Sequence, residues 1–483
     1  MKGHDLGRTR QERASAGSDG EGAETRVERD SMGEVAVPES ALWGAQTQRA
    51  LDNLPFASGP MPARLLHALG AVKAAAARAN ADCGALDQGM GEAIASAAEE
   101  VAAGLHDDQF PVDVFQTGSG TSTNMNANEV IAHLAAARYG QPVHPNDHVN
   151  ASQSSNDVMP TAVHVMAATG VVHGLVPALW HLHSALERVA VAHETTVKAG
   201  RTHLMDAAPV TFGQEMRGYA AQVARGVDRL ESALTRIAEV PLGGTAVGTG
   251  LNAPAGFADA AVARLAADAG VDLRRAVDPV EAQSARDSVV ELSGQLRVVA
   301  LSILKICTDL RWLGSGPHTG LAEIRLPELQ PGSSIMPGKV NPVVPEAVSQ
   351  ACMQVVGNDA AIAFAATASN FELNTAVPLM ARNLGESLHL LTVGSRLLAD
   401  RAVDGLEVDV DRMRHNAQAS PAVAASLNRT LGYDTASRVV HHAARTGVGI
   451  RDAVVALGLV ADGSITEDQL DQALDVSRLA RGG

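Results

Sequence analysis

Twelve residues, 331–342, read P-G-S-S-I-M-P-G-K-V-N-P. Two glycines and three prolines within this stretch rule out a helix and make a hinged loop. The loop nevertheless gathers two hydroxyls (Ser333, Ser334), an ammonium (Lys339) and an amide (Asn341). Folding alone gives no reason to concentrate such groups on a mobile loop. Closure over a small anion does. The chain holds only five lysines, at positions 2, 73, 198, 305 and 339, among 38 basic residues, and one of them sits here. A compact ammonium is not replaced by the planar guanidinium that this chain otherwise prefers.

Three further polar clusters interrupt an apolar background. Thr117-Gly118-Ser119-Gly120-Thr121 runs into S-T-N-M-N-A-N-E-V-I-A-H-L, and Ser154-Ser155-Asn156-Asp157 caps a long apolar pattern with Pro160 expected in its first turn. The 331–342 loop also leads into a helical pattern, with Pro345 expected near its first position and Glu346 beside it. Helix N-termini carry free N–H groups and the positive dipole end, and so attract anions. Ordinary capping explains any one of these clusters. All three hold more hydroxyls and amides than a cap uses. The fourth cluster, Gly200-Arg201-Thr202-His203, reads as a polar loop before Pro209, followed by a capping box Thr211-x-x-Gln214.

The elements that must position these groups are unusually long helices, expected at 158–197, 211–239, 280–313, 345–368 and 378–403. Thirty residues make a rod of about 45 Å. Stretches such as V-V-A-L-S-I-L-K-I-C at 298–307 are apolar on most of their circumference and require burial on all sides. One chain supplies too few neighbours for five such rods, so copies of the same chain are the expected partners. Residues 1–24 read as a disordered acidic extension, and ordered structure is expected from about Arg26. A mostly helical N-terminal domain is expected over 25–153, the long-helix domain with its loop over 154–411, and a small helical domain over 412–483.

The composition is globular and helix-prone, with 46% hydrophobic, 19% charged and 3% aromatic residues. A net charge of −16 speaks against sequence-independent nucleic-acid binding. It does not exclude an anionic substrate, because a local field can oppose the global one. Cys83, Cys307 and Cys352 are far apart and read as structural thiols. No C-x-x-C or H-E-x-x-H spacing predicts a metal or iron–sulfur site, and no N-terminal apolar run predicts a leader or membrane span, so a cytoplasmic protein without a cofactor is expected.

Several blocks in order resemble the fumarase/aspartase superfamily, and class II fumarase within it. They are F-Q-T-G-S-G-T at 115–121, H-P-N-D at 144–147, Q-S-S-N-D at 153–157, G-R-T-H at 200–203, G-G-T-A-V-G-T-G-L-N at 243–252, the loop at 331–342 and N-F-E-L-N at 370–374. The resemblance implies an all-α, three-domain fold whose five-helix bundle assembles into a tetrameric core. It also implies reversible hydration of fumarate to L-malate, a step of the tricarboxylic acid cycle, without metal. Aspartate ammonia-lyase is the alternative; it usually has R-T-Q where this chain has R-T-H at 201–203. A non-catalytic scaffold of the same superfamily is the remaining one, and it would be expected to lose site residues that are all present here.

Residue by residue, Ser333 resembles the catalytic serine and His203 its acid/base partner, with Glu346 orienting His203 and Lys339 and Asn341 stabilising the anionic intermediate. Ser119, Gly120, Thr121, Ser154, Ser155, Asn156, Thr202, Ser334 and Val340, again with Lys339 and Asn341, resemble the substrate-binding set. His144, Pro145, Asn146 and Asp147 resemble a second anion site. Because the rods separate these clusters, each active site is expected to draw on three subunits, with His203 and Ser333 from different ones.

Overall fold

The computed structural model describes residues 24–482. The expected disordered extension therefore lies, but for Glu24, outside the described residues. The described chain opens on a hairpin of β1 (Thr25–Asp30) and β2 (Gly33–Pro38). Helices α1 (Ala45–Asn53), α2 (Ala63–Asp82), α3 (Gln88–Ala102) and α4 (Thr121–Tyr139) follow. Alanines line α2 and α3, so the two backbones approach closely: a Cβ on Gly70 would sit 2.6 Å from the Ala102 nitrogen. Helix α1 has no side-chain cap of its own. The buried Glu129 of α4 replaces it, accepting from the Gly44, Gln46 and Thr47 nitrogens and the Thr47 hydroxyl.

Five long rods then form a closed ring. They are α5 (Ser155–Ala192), α6 (Phe212–Ile237), α7 (Asp287–Leu313), α8 (Val343–Ala366) and α9 (Val377–Leu398). Each packs on the next, and α9 returns to α5. The 38 residues of α5 include a π-helical stretch, Gly170–Leu175. By length and composition α5 would cross a membrane, but 61% of its apolar window is buried inside the chain.

Several expected boundaries move, each for a local reason. The first rod ends at Ala192, and a strand pair begins at Val197. The expected 280–313 helix is interrupted: Pro279–Ser284 is a separate short helix, and α7 starts after Ala285 turns to extended φ/ψ. Pro160 lies not in the first turn of α5 but inside the helix, as its sixth residue. Pro345 is the third residue of α8 rather than near its first. Beyond α9, a second apolar core gathers Ala417, Leu427, Val439, Ile450 and Leu470 around Val197 of the strand pair.

Candidate active site

Helix α4 is preceded by Gly120, whose φ of 80° puts it in the left-handed region that glycine tolerates. Two residues earlier, a Cβ on Gly118 would lie 1.9 Å from the Thr375 oxygen, so only glycine lets this turn seat against the start of α9. The Val377 nitrogen donates to the Gly118 carbonyl at 3.0 Å, and the Ser119 and Thr121 hydroxyls bond each other at 2.8 Å. The N-terminus of α5 lies beside it. Ser154 caps it in a box with Asp157, and the second Asp157 oxygen accepts from the Gly243 and Thr245 nitrogens at 2.9 and 3.0 Å. Asn156 donates to the Ala246 carbonyl at 2.9 Å. These bonds fasten the glycine-rich 243–252 loop over the start of α5.

The result is an open cleft of about 740 Å³. Thr121 and Asn124 of α4, Gln153–Asn156 at the start of α5, and Thr245 and Ala246 of the loop line it. Asn146 and Asp147 border it too. The remaining residues of that segment form a tight turn: Nδ1 of His144 accepts from the Asn146 and Asp147 nitrogens at 3.3 and 3.0 Å.

Two buried ionisable groups lie behind the cleft. The fully buried Lys73 of α2 donates to the side-chain oxygens of Asn150 and Gln153 at 2.9 and 3.0 Å. Burial pushes its ammonium down to about 7, while the Asp157 carboxylate favours the charged form. Burial pushes the Asp157 carboxyl up to about 6, against its backbone N–H donors and Lys73.

His203 stands elsewhere. The expected polar loop at 200–203 is instead a hairpin of β3 (Val197–Thr202) and β4 (Met205–Thr211), whose two-residue turn is His203-Leu204. Both turn residues are left-handed, with φ of 57° and 59°. That geometry suits the twist of a hairpin and is costly without glycine. The hairpin is anchored just below its turn. Arg201 forms a two-pronged pair with the fully buried Glu323 at 2.7 and 3.0 Å, and Asn416 donates to the same carboxylate. Burial pushes the Glu323 carboxyl up, but Arg201, Asn416 and Lys198 together hold it below the usual range.

The 331–342 loop is laced internally. The Gly332 nitrogen donates to the Lys339 carbonyl at 2.9 Å, and Asn341 donates to the Gly332 carbonyl at 2.5 Å. Ser333 Oγ accepts from the Ile335 and Met336 nitrogens at 3.2 and 3.0 Å. Ser334, Lys339 and Val340 are exposed. Glu346 pairs with Arg311 at 3.6 Å.

Within one chain, then, Thr121, Ser154, Ser155 and Asn156 meet in a cleft. Thr202, His203 and the 331–342 loop do not line it. Asn124, Asn128, Asn150 and Glu323 are not singled out by the sequence, and Lys73, Gln153 and Arg201 receive no role from it. Asparagines at alternate positions in α4 were the available signal, because Asn is a poor helix former unless its amide is used.

Comparison with known proteins identifies the family. A lyase family model matches residues 33–357, and the model of the fumarase C C-terminus matches 423–481. A class II fumarate hydratase of Mycobacterium tuberculosis is 53% identical over 464 residues, which are 96% of this chain and 98% of that protein. The chain belongs to the class II fumarate hydratase family. A relative of the same name from Corynebacterium glutamicum is 52% identical over 95% of this chain and 97% of its own length. A solved class II fumarase from Schistosoma mansoni superposes with a TM-score of 0.91 at 35% identity, covering 95% of this chain and 99% of that one. Thus the helical fold and the family expected from the motifs both hold.

Proposed function

We propose that this family member interconverts fumarate and L-malate at a site completed by three subunits of a homotetramer. Identity of about half the residues over nearly the whole chain carries the reaction. The incomplete cleft supports the shared site. It offers hydroxyls, amides and two helix N-termini suited to a dicarboxylate, but lacks an acid/base pair. The groups suited to that role sit on exposed, apolar-flanked projections. Leu204 and Met205 beside His203 are 63% and 70% exposed, and Ile335 beside Ser333 is 82% exposed. Such tips gain from burial against another copy.

Dehydration of malate removes a proton from the carbon beside a carboxylate and moves charge into that carboxylate; hydroxide then leaves. Ser333 is suited to take the carbon proton, since the two N–H groups aimed at its Oγ stabilise a developing alkoxide. His203 protonates the departing hydroxyl, or activates water in the reverse direction. In the assembled site Glu346 would exchange Arg311 for His203, and Lys339 and Asn341 would face the aci-carboxylate. Thr121 with Ser119, and Ser154–Asn156, hold the substrate carboxylates. His144–Asp147 provides a second anion-binding turn at the cleft edge. A cytoplasmic location accompanies this reading.

The test is the fall in fumarate ultraviolet absorbance on hydration, with L-aspartate as control substrate. Ammonia release from aspartate at a rate comparable to malate dehydration would sink the assignment. So would a rate abolished by chelator and restored by iron.

A further inference from the structure

The polar groups beneath the cleft are connected in a way that fixes the direction of every hydrogen bond. We infer that Lys73 and Asn124 are positioning residues that set the polarity of the cleft, so that Ser155 meets the substrate as a hydrogen-bond donor. This rests on the reading of Ser155 as a substrate-binding residue.

The direction starts at Lys73. Its Nζ lies 2.9 Å from Asn150 Oδ1 and 3.0 Å from Gln153 Oε1. Even as a neutral amine it has the two N–H bonds these oxygens need, so both amides must turn their oxygens towards it. Their NH2 groups confirm the same orientation. Asn150 donates to the Gln153 carbonyl at 3.2 Å, and Gln153 donates to the Val149 and Ala151 carbonyls at 3.1 and 3.0 Å. A flipped amide would set oxygen against oxygen at both places.

With Asn150 Oδ1 fixed, the next residues have no choice. Asn124 and Asn128 each approach it at 3.2 Å and must present NH2. The Asn124 NH2 then also donates to Ser155 Oγ at 3.0 Å. Ser155 Oγ is therefore an acceptor on its inner side. Among the described residues it has no other hydrogen-bond partner, and it lines the cleft. Its hydroxyl hydrogen is left to point outwards, which suits a carboxylate and opposes a group that only donates. The path runs from a buried cation through two amides to one hydroxyl, and Asn124 itself is buried on the cleft wall.

Asn124→Asp tests this with little change of shape. The new carboxylate only accepts, so Ser155 must turn its hydrogen inwards. Steady-state kinetics would be measured for Asn124→Asp, Ser155→Ala and the double variant, with circular dichroism and thermal melting confirming that each folds. Each single change is expected to raise the KM for fumarate about tenfold, the scale of one hydrogen bond to a charged group, with little change in kcat. The double variant is expected to be no worse than the worse single one, because both remove the same donor. Independent, multiplying effects would show that Asn124 merely supports the fold and would overturn the relay. A changed Ser155→Ala with unaltered Asn124→Asp kinetics would overturn the relay alone. An unaffected Ser155→Ala would remove the assignment of Ser155 and the relay with it. If Asn124→Asp does not fold, Lys73→Met takes its place in the cycle: it removes one of the two contacts that orient Asn150 and should reproduce the KM effect more weakly, and only while Ser155 is present.

Discussion

The cleft at the start of α5 and the loop at 331–342 are built in opposite ways. In the cleft, buried donors and acceptors from α2, α4, α5 and the 243–252 loop determine one another, and Lys73, Asn150, Asn156 and Asp157 are held before substrate arrives. In the loop, hydrogen bonds are local, and the side chains nearest Ser333 face outwards. Rigid, preorganised groups suit binding and electrostatic stabilisation. A projecting, locally braced loop suits groups that must be delivered to a site from outside. The hairpin carrying His203 belongs with the loop by its exposed tip, yet with the cleft by its anchor just below that tip, where Arg201 and Glu323 form a buried pair. On the proposed three-subunit site, the contrast separates the groups one chain would hold from those it would lend.

The largest effect should come from the lent groups. Ser333→Ala and His203→Asn are each expected to lower kcat by about 10²-fold or more, the scale of a positioned acid or base. Refolded together in equal amounts, the two inactive variants should regain activity in roughly a quarter of sites, by random assortment among symmetric subunits. Hybrid tetramers verified by mass spectrometry but without activity would place both residues in one subunit's contribution.

A stability effect should distinguish the buried anchor of the hairpin from its exposed tip. Glu323→Gln leaves Arg201 without its buried counter-charge, while Lys198 keeps Glu215 at 2.8 Å, and is expected to cost about 3 kcal/mol at neutral pH. The Glu323 carboxyl is held below its ordinary value in the folded chain, so its contribution is present above the unfolded value and is lost as pH falls through the folded one. The gap in melting temperature between wild type and Glu323→Gln should therefore shrink on acidification below the ordinary carboxylate range. A gap constant with pH would mean that the pair contributes only packing.

On the cleft side, Gly118→Ala must displace the Thr375 carbonyl. It should cost about 2 kcal/mol of stability, as overpacking does, and weaken substrate binding together with it. Unchanged melting and kinetics would show that the close seating of this turn against α9 has no role. The smallest effect is expected at the hairpin tip. Leu204→Ser should leave monomer secondary structure unchanged but lower the concentration stability of the tetramer, read by sedimentation at falling protein concentration. An unaltered assembly would mean that the tip faces solvent rather than another copy.

Much of this molecule was written in local pattern. Apolar periodicity and the scarcity of internal proline placed the five rods, and the capping boxes at Ser154 and Thr211 marked two of their starts, because a helix end must satisfy its own free N–H groups from nearby side chains. The loop at 331–342 was legible for a related reason: prolines and glycines declare a non-helical chain, and the polar groups among them have no folding purpose. Motif order likewise carried the family. What only the tertiary structure decided is which distant residues meet. Nothing local links Lys73 to Asn150, Asn124 to Ser155, or Arg201 to Glu323, since each pair joins different elements whose packing register sets the contact. The turn at His203 was read as a loop because neither His nor Leu announces a left-handed hairpin. Pairing of β3 with β4, anchored by a buried ion pair beyond the hairpin, imposes that geometry against local preference.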